Sequence, residues 1–437
     1  MARINVPTAR TYGMTHEGAP ARRIGAEQEL RRSVLSCLLW ENEFYESGEG
    51  IADRILRLSQ EVAPEVVADM AIRARSEYRL RHVPLWLCVA LARRGALRAS
   101  TLAESIQRAD EPGEFLALYW KDGKVPLAKQ AKVGLARAFQ KFDAYQLAKW
   151  NRDGAVKLRD VLFLVHAKPK DEEQAATWKQ LVEGTLPVPD TWEVALSGGQ
   201  DKREAWERLL AERRLGYMAL LRNLRNMAAV NVLTEPIFAA LRDGAAKSKA
   251  LPFRFVAAAR AVPHWEPVLE EAMLAAAPKG GLSGKTVLLV DVSGSMEDPL
   301  SGKSDMQRLD AACGLAILCR EMCEDVRVFS FSQHLIAIPP RRGFALRDAL
   351  VGSQPHSSTY LGAAVDGLNR EACDGLIVIT DEQSHDAVPG PSGKGYLINV
   401  ASAQRGVGYG PWTHIDGFSE AVLQYIAACE ADEETQV

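Results

Sequence analysis

The sequence predicts two domains of different class: an all-α domain of helical repeats, then an α/β domain with a doubly wound, mainly parallel sheet. Three observations predict it. Nearly every segment of residues 24–275 carries apolar side chains at three- and four-residue spacing. A small, Gly-rich polar stretch, AAAPKGGLSG, follows at 275–284. Beyond it, short β-rich apolar runs alternate with helical ones. The expected boundaries are therefore 1–274 for the helical domain, 275–284 for a linker and 285–437 for the α/β domain. A chain of 437 residues is also too long for a single hydrophobic core.

In the first domain, AEQELRRSVLSCLLWENEFY, PEVVADMAIRARSEYRL, VPLWLCVALARRG and AKVGLARAFQKFDAYQLAKW read as amphipathic helices. Short breaks rich in Gly, Pro or Asp separate such segments, as at ADEPGE near Pro112 and KPKDEEQ near Lys170. Successive short helices with tight turns suit an α-solenoid, in which each helix pair buries its face on the next. A compact bundle is the alternative. In the second domain, KTVLLVD, VRVFSF, GLIVITD and KGYLINV have the continuous apolar character of strands buried on both faces. RLDAACGLAILCREMCE, STYLGAAVDGLNREA and SEAVLQYIAACEAD read as the helices between and after them.

Hydrophobic residues make up 47% and charged residues 25%, an ordinary globular balance. No apolar run approaches the ~18 residues that span a bilayer. The first residues, MARINVPTARTYGMTHEGAPARR, lack the apolar core of a signal peptide, so the expected location is the cytoplasm without membrane attachment. The seven cysteines are odd in number and form no CxxC. Cys319 and Cys323 lie one turn apart in what reads as an apolar helix, so reduced core thiols are expected rather than a zinc site. The net charge of −3 hides an asymmetry: residues 1–280 hold 42 Lys/Arg against 35 Asp/Glu, and residues 281–437 hold 11 against 21. The two halves should meet different partners.

The sharpest motif is Asp291-Val292-Ser293-Gly294-Ser295, directly after the strand KTVLLV. In a parallel sheet, ligands bind outside the carboxyl ends of the strands. Asp381 ends a second such strand, GLIVIT, and Ser358-Thr359 opens the helix between them. Carboxylate and hydroxyl oxygens suit a hard divalent cation such as Mg²⁺, with one position left for an acidic group of a partner. The plainer alternative is that Asp291 and Ser293 only cap the turn after the strand. Asp291, Ser293, Ser295, Thr359 and Asp381 together resemble the metal-ion-dependent adhesion site of von Willebrand A domains. Hydrolysis would need a general base, for which His385 and Glu382 are the nearest candidates, but no His-rich cluster, GxSxG or P-loop supports an enzyme.

The second signal is charge. Lys121, Lys124, Lys129, Lys132, Arg137, Lys141, Lys149, Arg152, Lys157, Arg159, Lys168 and Lys170 face only four acids in the same fifty residues, a surplus of +8. Phe139, Phe142, Tyr145, Trp150 and Phe163 are interleaved. Cations neutralise phosphates, and aromatic rings stack on unpaired bases. In KLRDVLFLVH, Leu158, Val161, Leu162 and Val165 form the apolar stripe, and the seven-residue spacing puts Arg159 and His166 on one flank of it. Phe139 and Tyr145 read as core rather than as base platforms, and most of the lysines also read as an ordinary solvated face. The helix REAWERLLAERRLGYMALLRNLRNM is basic too, but its glutamates offset it.

Taken in order, THEGAPA (Thr15–Ala21), RHVPLWL (Arg81–Leu87), FDAYQLAKW (Phe142–Trp150), KLRDVLFLVHAKP (Lys157–Pro169), MALLRNLRNM (Met218–Met227) and LVDVSGSM (Leu289–Met296) resemble the Ro autoantigen family, a TROVE module followed by a von Willebrand A domain. The resemblance implies a monomeric ring of HEAT-like helical repeats joined by the Rossmann-like A domain. It implies binding of small non-coding RNA of the Y RNA type and of single-stranded ends of misfolded RNA. It also implies an acidic protein ligand or an exoribonuclease partner at the A domain. Lys149, Arg152 and His166 match family positions that contact RNA, and Arg159, Lys129, Lys132, Arg137 and Lys141 join them as candidates from the basic run. The alternative function is a protein-interaction scaffold whose A domain grips an acidic partner through a metal ion and whose repeats never touch RNA.

Overall fold

The computed structural model describes residues 26–35, 48–77, 80–152, 154, 156–197, 199, 201–248, 250–278, 280–300, 305–401, 407, 411–416 and 426. The THEGAPA segment, Cys37, Cys429 and the expected helix over 419–432, apart from the helical and buried Ile426, lie outside them. The chain divides into two compact units after residue 200, not at the Gly-rich stretch: described residues up to 200 form one, and residues from Asp201 onward form the other.

The first unit is all-helical. It runs through α1 (Ala26–Leu35), α2 (Gly48–Glu61), α3 (Pro64–Ser76), α4 (His82–Arg93), α5 (Ala99–Ser105), α6 (Glu111–Tyr119), α7 (Lys129–Phe139), α8 (Ala144–Trp150), α9 (Leu158–Val165), α10 (Glu172–Glu183) and α11 (Trp192–Ser197). The packing is that of a repeat stack rather than a bundle: α3, α5, α7 and α9 touch in sequence along one row, and α2, α4 and α6 along the other. Trp86, Phe115 and Phe139 fill the space between rows, and the Trp86 indole N–H donates to Ala52 O at 2.9 Å. Gly134 marks the α5–α7 crossing, where a Cβ would stand 2.9 Å from Leu102 Cβ. Asp143 and Gln146 close a reciprocal capping box at the start of α8, which fixes where Lys149 and Trp150 emerge.

The second unit opens with helices of its own, α12 (Lys202–Ala211), α13 (Tyr217–Ala229), α14 (Thr234–Ala245), α15 (Pro252–Ala261) and α16 (Glu266–Ala276). It then forms β1 (Leu282–Asp291), α17 (Arg308–Met322), β2 (Cys323–Phe331), β3 (Leu335–Ala337), α18 (Gly343–Val351), α19 (Leu361–Leu368), β4 (Gly375–Thr380), β5 (Lys394–Asn399) and β6 (Trp412–Asp416). The helices belong with the sheet because α17 takes the next place in the row α13–α15. Gly314 permits this: a Cβ there would lie 3.1 Å from Phe253 Cα. Glu270 accepts from Phe344 N–H at 2.7 Å, and Arg347 pairs with Glu266 at 3.0 Å.

The sheet order is β3-β2-β1-β4-β5-β6, parallel except for the antiparallel β2–β3 pair. The four strands read from the sequence are present. The edge strands β3 and β6 and the helix α18 were not legible there. Cys323 is not in the helix with Cys319: α17 ends at Met322, and Cys323 starts β2. Cys88, Cys313, Cys319 and Cys323 are buried thiols, and burial pushes those of Cys88 and Cys313 up to about 12. Among the described residues, no helix is long and apolar enough to cross a membrane.

Candidate metal centre and nucleic-acid interface

β1 and β4 are the neighbours at which the strand order reverses, so their carboxyl ends flank the crevice where doubly wound sheets bind ligands. Asp291 ends one, and Asp381 follows the other. Both carboxylates are fully buried. Three loops are stitched together here. Gly294 N–H donates to Ser357 O at 2.9 Å, joining the DxSxS turn to the segment that carries Thr359. His385 N–H donates to Thr359 O at 2.9 Å, joining that segment to the loop after Asp381. Arg308, from the start of α17, reaches both Ser295 O and Asp381 Oδ2 at 3.2 Å. The five residues singled out in the sequence thus share one rim.

The carboxylate of Asp291 is held in place from both sides: Ser293 N–H donates to Oδ1 at 2.8 Å, and the Thr380 hydroxyl donates to Oδ2 at 2.6 Å. The Ser293 and Ser295 hydroxyls are 3.4 Å apart. Burial, and then the charge of Asp381, push the Asp291 carboxyl up to about 7, as expected when one buried acid faces another. Among the described residues, no group of three His, Cys, Asp or Glu side chains is placed to hold a metal. The oxygens gathered at this rim belong to two carboxylates and to serine and threonine hydroxyls, a set whose chemistry suits Mg²⁺ rather than zinc. Arg308 departs from a bare acidic pair, because its guanidinium supplies Asp381 with a positive charge of its own. The two candidate bases are engaged elsewhere. Glu382 pairs with the buried His414 at 3.3 Å, and the His385 ring packs on Tyr360 with its Nδ1 against the Thr359 backbone.

In the first unit, the basic run resolves into parts with different roles. Trp150 is the focus: Arg108 Cζ lies 3.6 Å from its ring centre, Arg152 Cζ 5.1 Å and Lys149 Nζ 5.7 Å. Lys149 also lies 5.8 Å from the Tyr145 ring. Tyr145 is a correction to the sequence reading: it is 51% exposed and no core residue, because the short α8 buries only Leu147. Phe139 is fully buried, as expected. Lys141 is occupied structurally: its ammonium caps α5 through Ala103 O and, at 3.0 Å, Ile106 O, and burial lowers its pKa. Lys129, Lys132 and Arg137 lie along α7, with Lys132 half-buried and the other two exposed. Leu162 of the expected apolar stripe is only half-buried. His166 is exposed, but it leaves the helix in a left-handed conformation, φ 51°, so it does not share a helical flank with Arg159, which pairs with Asp160 at 3.7 Å. Arg152 lies 3.9 Å from Glu193.

Residues 182–286 match the family model described as the TROVE domain. That segment is similar to the TROVE domain. The fold of the chain is that of a solved Ro protein, from Deinococcus radiodurans, with a TM-score of 0.62 and 19% identity over 93% of this chain and 100% of that one. An aerotolerance-related membrane protein of Bacteroides fragilis matches 26% of this chain and 66% of its own at 18% identity and a TM-score of 0.21. A conserved hypothetical protein, BatB, of Bacteroides thetaiotaomicron matches 35% of this chain and 99% of its own at 15% identity and a TM-score of 0.25. Neither similarity is strong enough to carry an argument. No curated protein matches the chain. The TROVE match lies downstream of Lys149, Arg152 and His166, so their assignment rests on the local geometry. That geometry adds residues the basic run did not contain: Arg108 and Arg81, which sit in acid-flanked segments, and Trp150 as the centre of the cluster rather than one aromatic among five.

Proposed function

We propose that this chain is a non-catalytic RNA-binding protein of the cytoplasm whose helical unit grips RNA around Trp150. The observation that carries the reading is the indole with Arg108, Lys149 and Arg152 about it, in a segment with a surplus of +8. Guanidinium and ammonium groups neutralise phosphates while an aromatic face accepts an unstacked base, a pairing suited to single-stranded RNA. The substrates proposed are small structured non-coding RNAs of the Y RNA type and single-stranded ends of misfolded RNA, in RNA quality control. Isotherms for a labelled single-stranded RNA at several salt concentrations test it. Affinity should fall steeply with salt, each neutralised phosphate adding about 0.7 to the log–log slope. Absence of saturable binding at low salt would refute it.

A second reading concerns the A domain and is compatible with the first. Asp291, Ser293, Ser295, Thr359 and Asp381 would hold Mg²⁺, which would supply a hard Lewis-acid centre with a position open to an acidic group of a protein partner, such as an exoribonuclease. The stitching of three loops at the strand-order reversal favours it. Calorimetry should register Mg²⁺ binding in the full chain and none in Asp291→Ala; equal binding in both would sink the assignment.

A further inference from the structure

Beside Trp150 lies a cavity of about 350 Å³, walled by Arg81, Arg108, Glu114, Trp150, Arg152 and Val156 among others. Its floor is close-packed: Gly113 lets the loop lie directly on α6, since a Cβ there would be 2.9 Å from Val156 O. Cavities of this size enclose small ligands. The charges in the wall are arranged in a particular way. Asp110 takes Arg81 at 2.9 Å and Arg108 at 2.8 Å, and Glu114 takes Arg81 at 2.6 Å. Both acids are thus matched by arginines inside the wall, while Lys149 and Arg152 stand at its edge with Arg152 58% exposed. Burial holds the Arg108 guanidinium below its ordinary pKa, offset in part by Asp110, as befits a cation packed against an indole rather than hydrated. Glu114 also pairs with His82 at 3.5 Å, so the acids of the wall are matched from within it.

We infer that this cavity receives one unpaired nucleotide of RNA. Its base lies against the Trp150 indole, while Lys149 and Arg152 hold the adjoining phosphates. A bare phosphate would leave the indole unused. An apolar peptide side chain would leave the cations at the edge without an anion. A nucleotide uses both. The inference rests on the RNA-binding reading above and narrows it to a base-dependent site.

The test compares a single-stranded RNA with the same strand carrying abasic nucleotides, both bound to the full chain. The parent should prefer the intact strand about tenfold, within the range of base–aromatic stacking. Trp150→Leu should lose that preference and keep its salt slope; Trp150→Phe should retain most of it. Because Trp150 is half-buried, circular dichroism checks the variants, and photocrosslinking of a 5-iodouridine strand to the unmodified parent should label Trp150 or its wall without any mutation. Equal affinity of the parent for intact and abasic strands, or crosslinks confined to other segments, would overturn the pocket while leaving RNA binding intact. If the parent binds neither strand, the RNA reading itself falls and the pocket with it.

Discussion

The two candidate sites are built in opposite ways. The rim of the A domain is dry: Asp291, Ser293 and Asp381 are fully buried, and each loop is tied to the next by backbone hydrogen bonds. The Trp150 cluster is wet: Arg152 is more than half exposed, and its cations are placed around one ring. The first is laid out as for a small ion of fixed coordination, where misplacement by a fraction of an ångström matters. The second is laid out as for a flexible polyanion, where charge and a π face matter more than position. Disturbing the first should therefore show in stability and metal affinity, and disturbing the second in salt dependence and base preference.

The largest expected effect breaks this contrast at its one exception, the buried anchor beneath the wet site. Glu111 is fully buried; it pairs with Arg75 at 2.8 Å and accepts from Gln107 and Arg108 N–H at 2.7 and 3.0 Å. Glu111→Ala leaves a buried guanidinium uncompensated and should cost about 3–5 kcal/mol by urea denaturation. A loss under about 1 kcal/mol would mean that the loop carrying Arg108 and Asp110 is held by other interactions.

Next comes Arg308→Gln. In the metal-free protein this removes the guanidinium that the structure places on Asp381, and it should destabilise the A domain by roughly 3 kcal/mol. Mg²⁺ should then restore more stability to the variant than it adds to the parent, because the ion takes over the charge that Arg308 supplied. An equal Mg²⁺ increment in both would show that Arg308 and the ion do not share Asp381.

A smaller effect is expected from pH. The Asp291 carboxyl lies at about 7 in the folded metal-free protein against an ordinary 3.8, so its protonated form is favoured by folding. That contribution is complete below about pH 4 and is lost as pH rises through about 7. Metal-free melting temperature should fall between pH 5 and 8, and Mg²⁺ should raise it at pH 8 far more than at pH 5. Asp291→Asn should flatten the metal-free slope; an unchanged slope would place the titration on another group.

How much of this was legible follows from the same contrast. That the five rim residues come together was readable because each sits at a fixed offset from a strand end or helix start, and strand ends of a parallel sheet converge. The Trp150 cluster was readable only in part. Lys149 and Arg152 stand beside Trp150 in sequence, but Arg108 comes from a segment that read as an acidic break, and only the packing of α6 against α9 brings it across. Tyr145 was misassigned because α8 is too short for its periodicity to distinguish inside from outside. His166 was placed on a helical flank because its left-handed turn leaves no mark in the apolar spacing. The strands β3 and β6 were missed because one is three residues long and the other, WTHID, alternates with polar residues at the sheet's edge. The division after residue 200 was hidden for a different reason: whether α15 docks on α17 depends on Gly314 meeting Phe253, a meeting of distant segments.

The central claim, that the Trp150 cluster is where RNA is held, is tested most directly by one set of isotherms. The full chain and a variant combining Lys149→Glu, Arg152→Glu and His166→Ser are titrated with a single-stranded RNA and with a blunt duplex at several salt concentrations, with circular dichroism to confirm the fold. The account predicts weaker binding by the variant and a greater loss for the single strand than for the duplex. It also predicts a log–log salt slope reduced by about 0.7 for each single-strand phosphate that the variant no longer neutralises. A folded variant that binds both RNAs as the parent does, with the same salt slope, would contradict it.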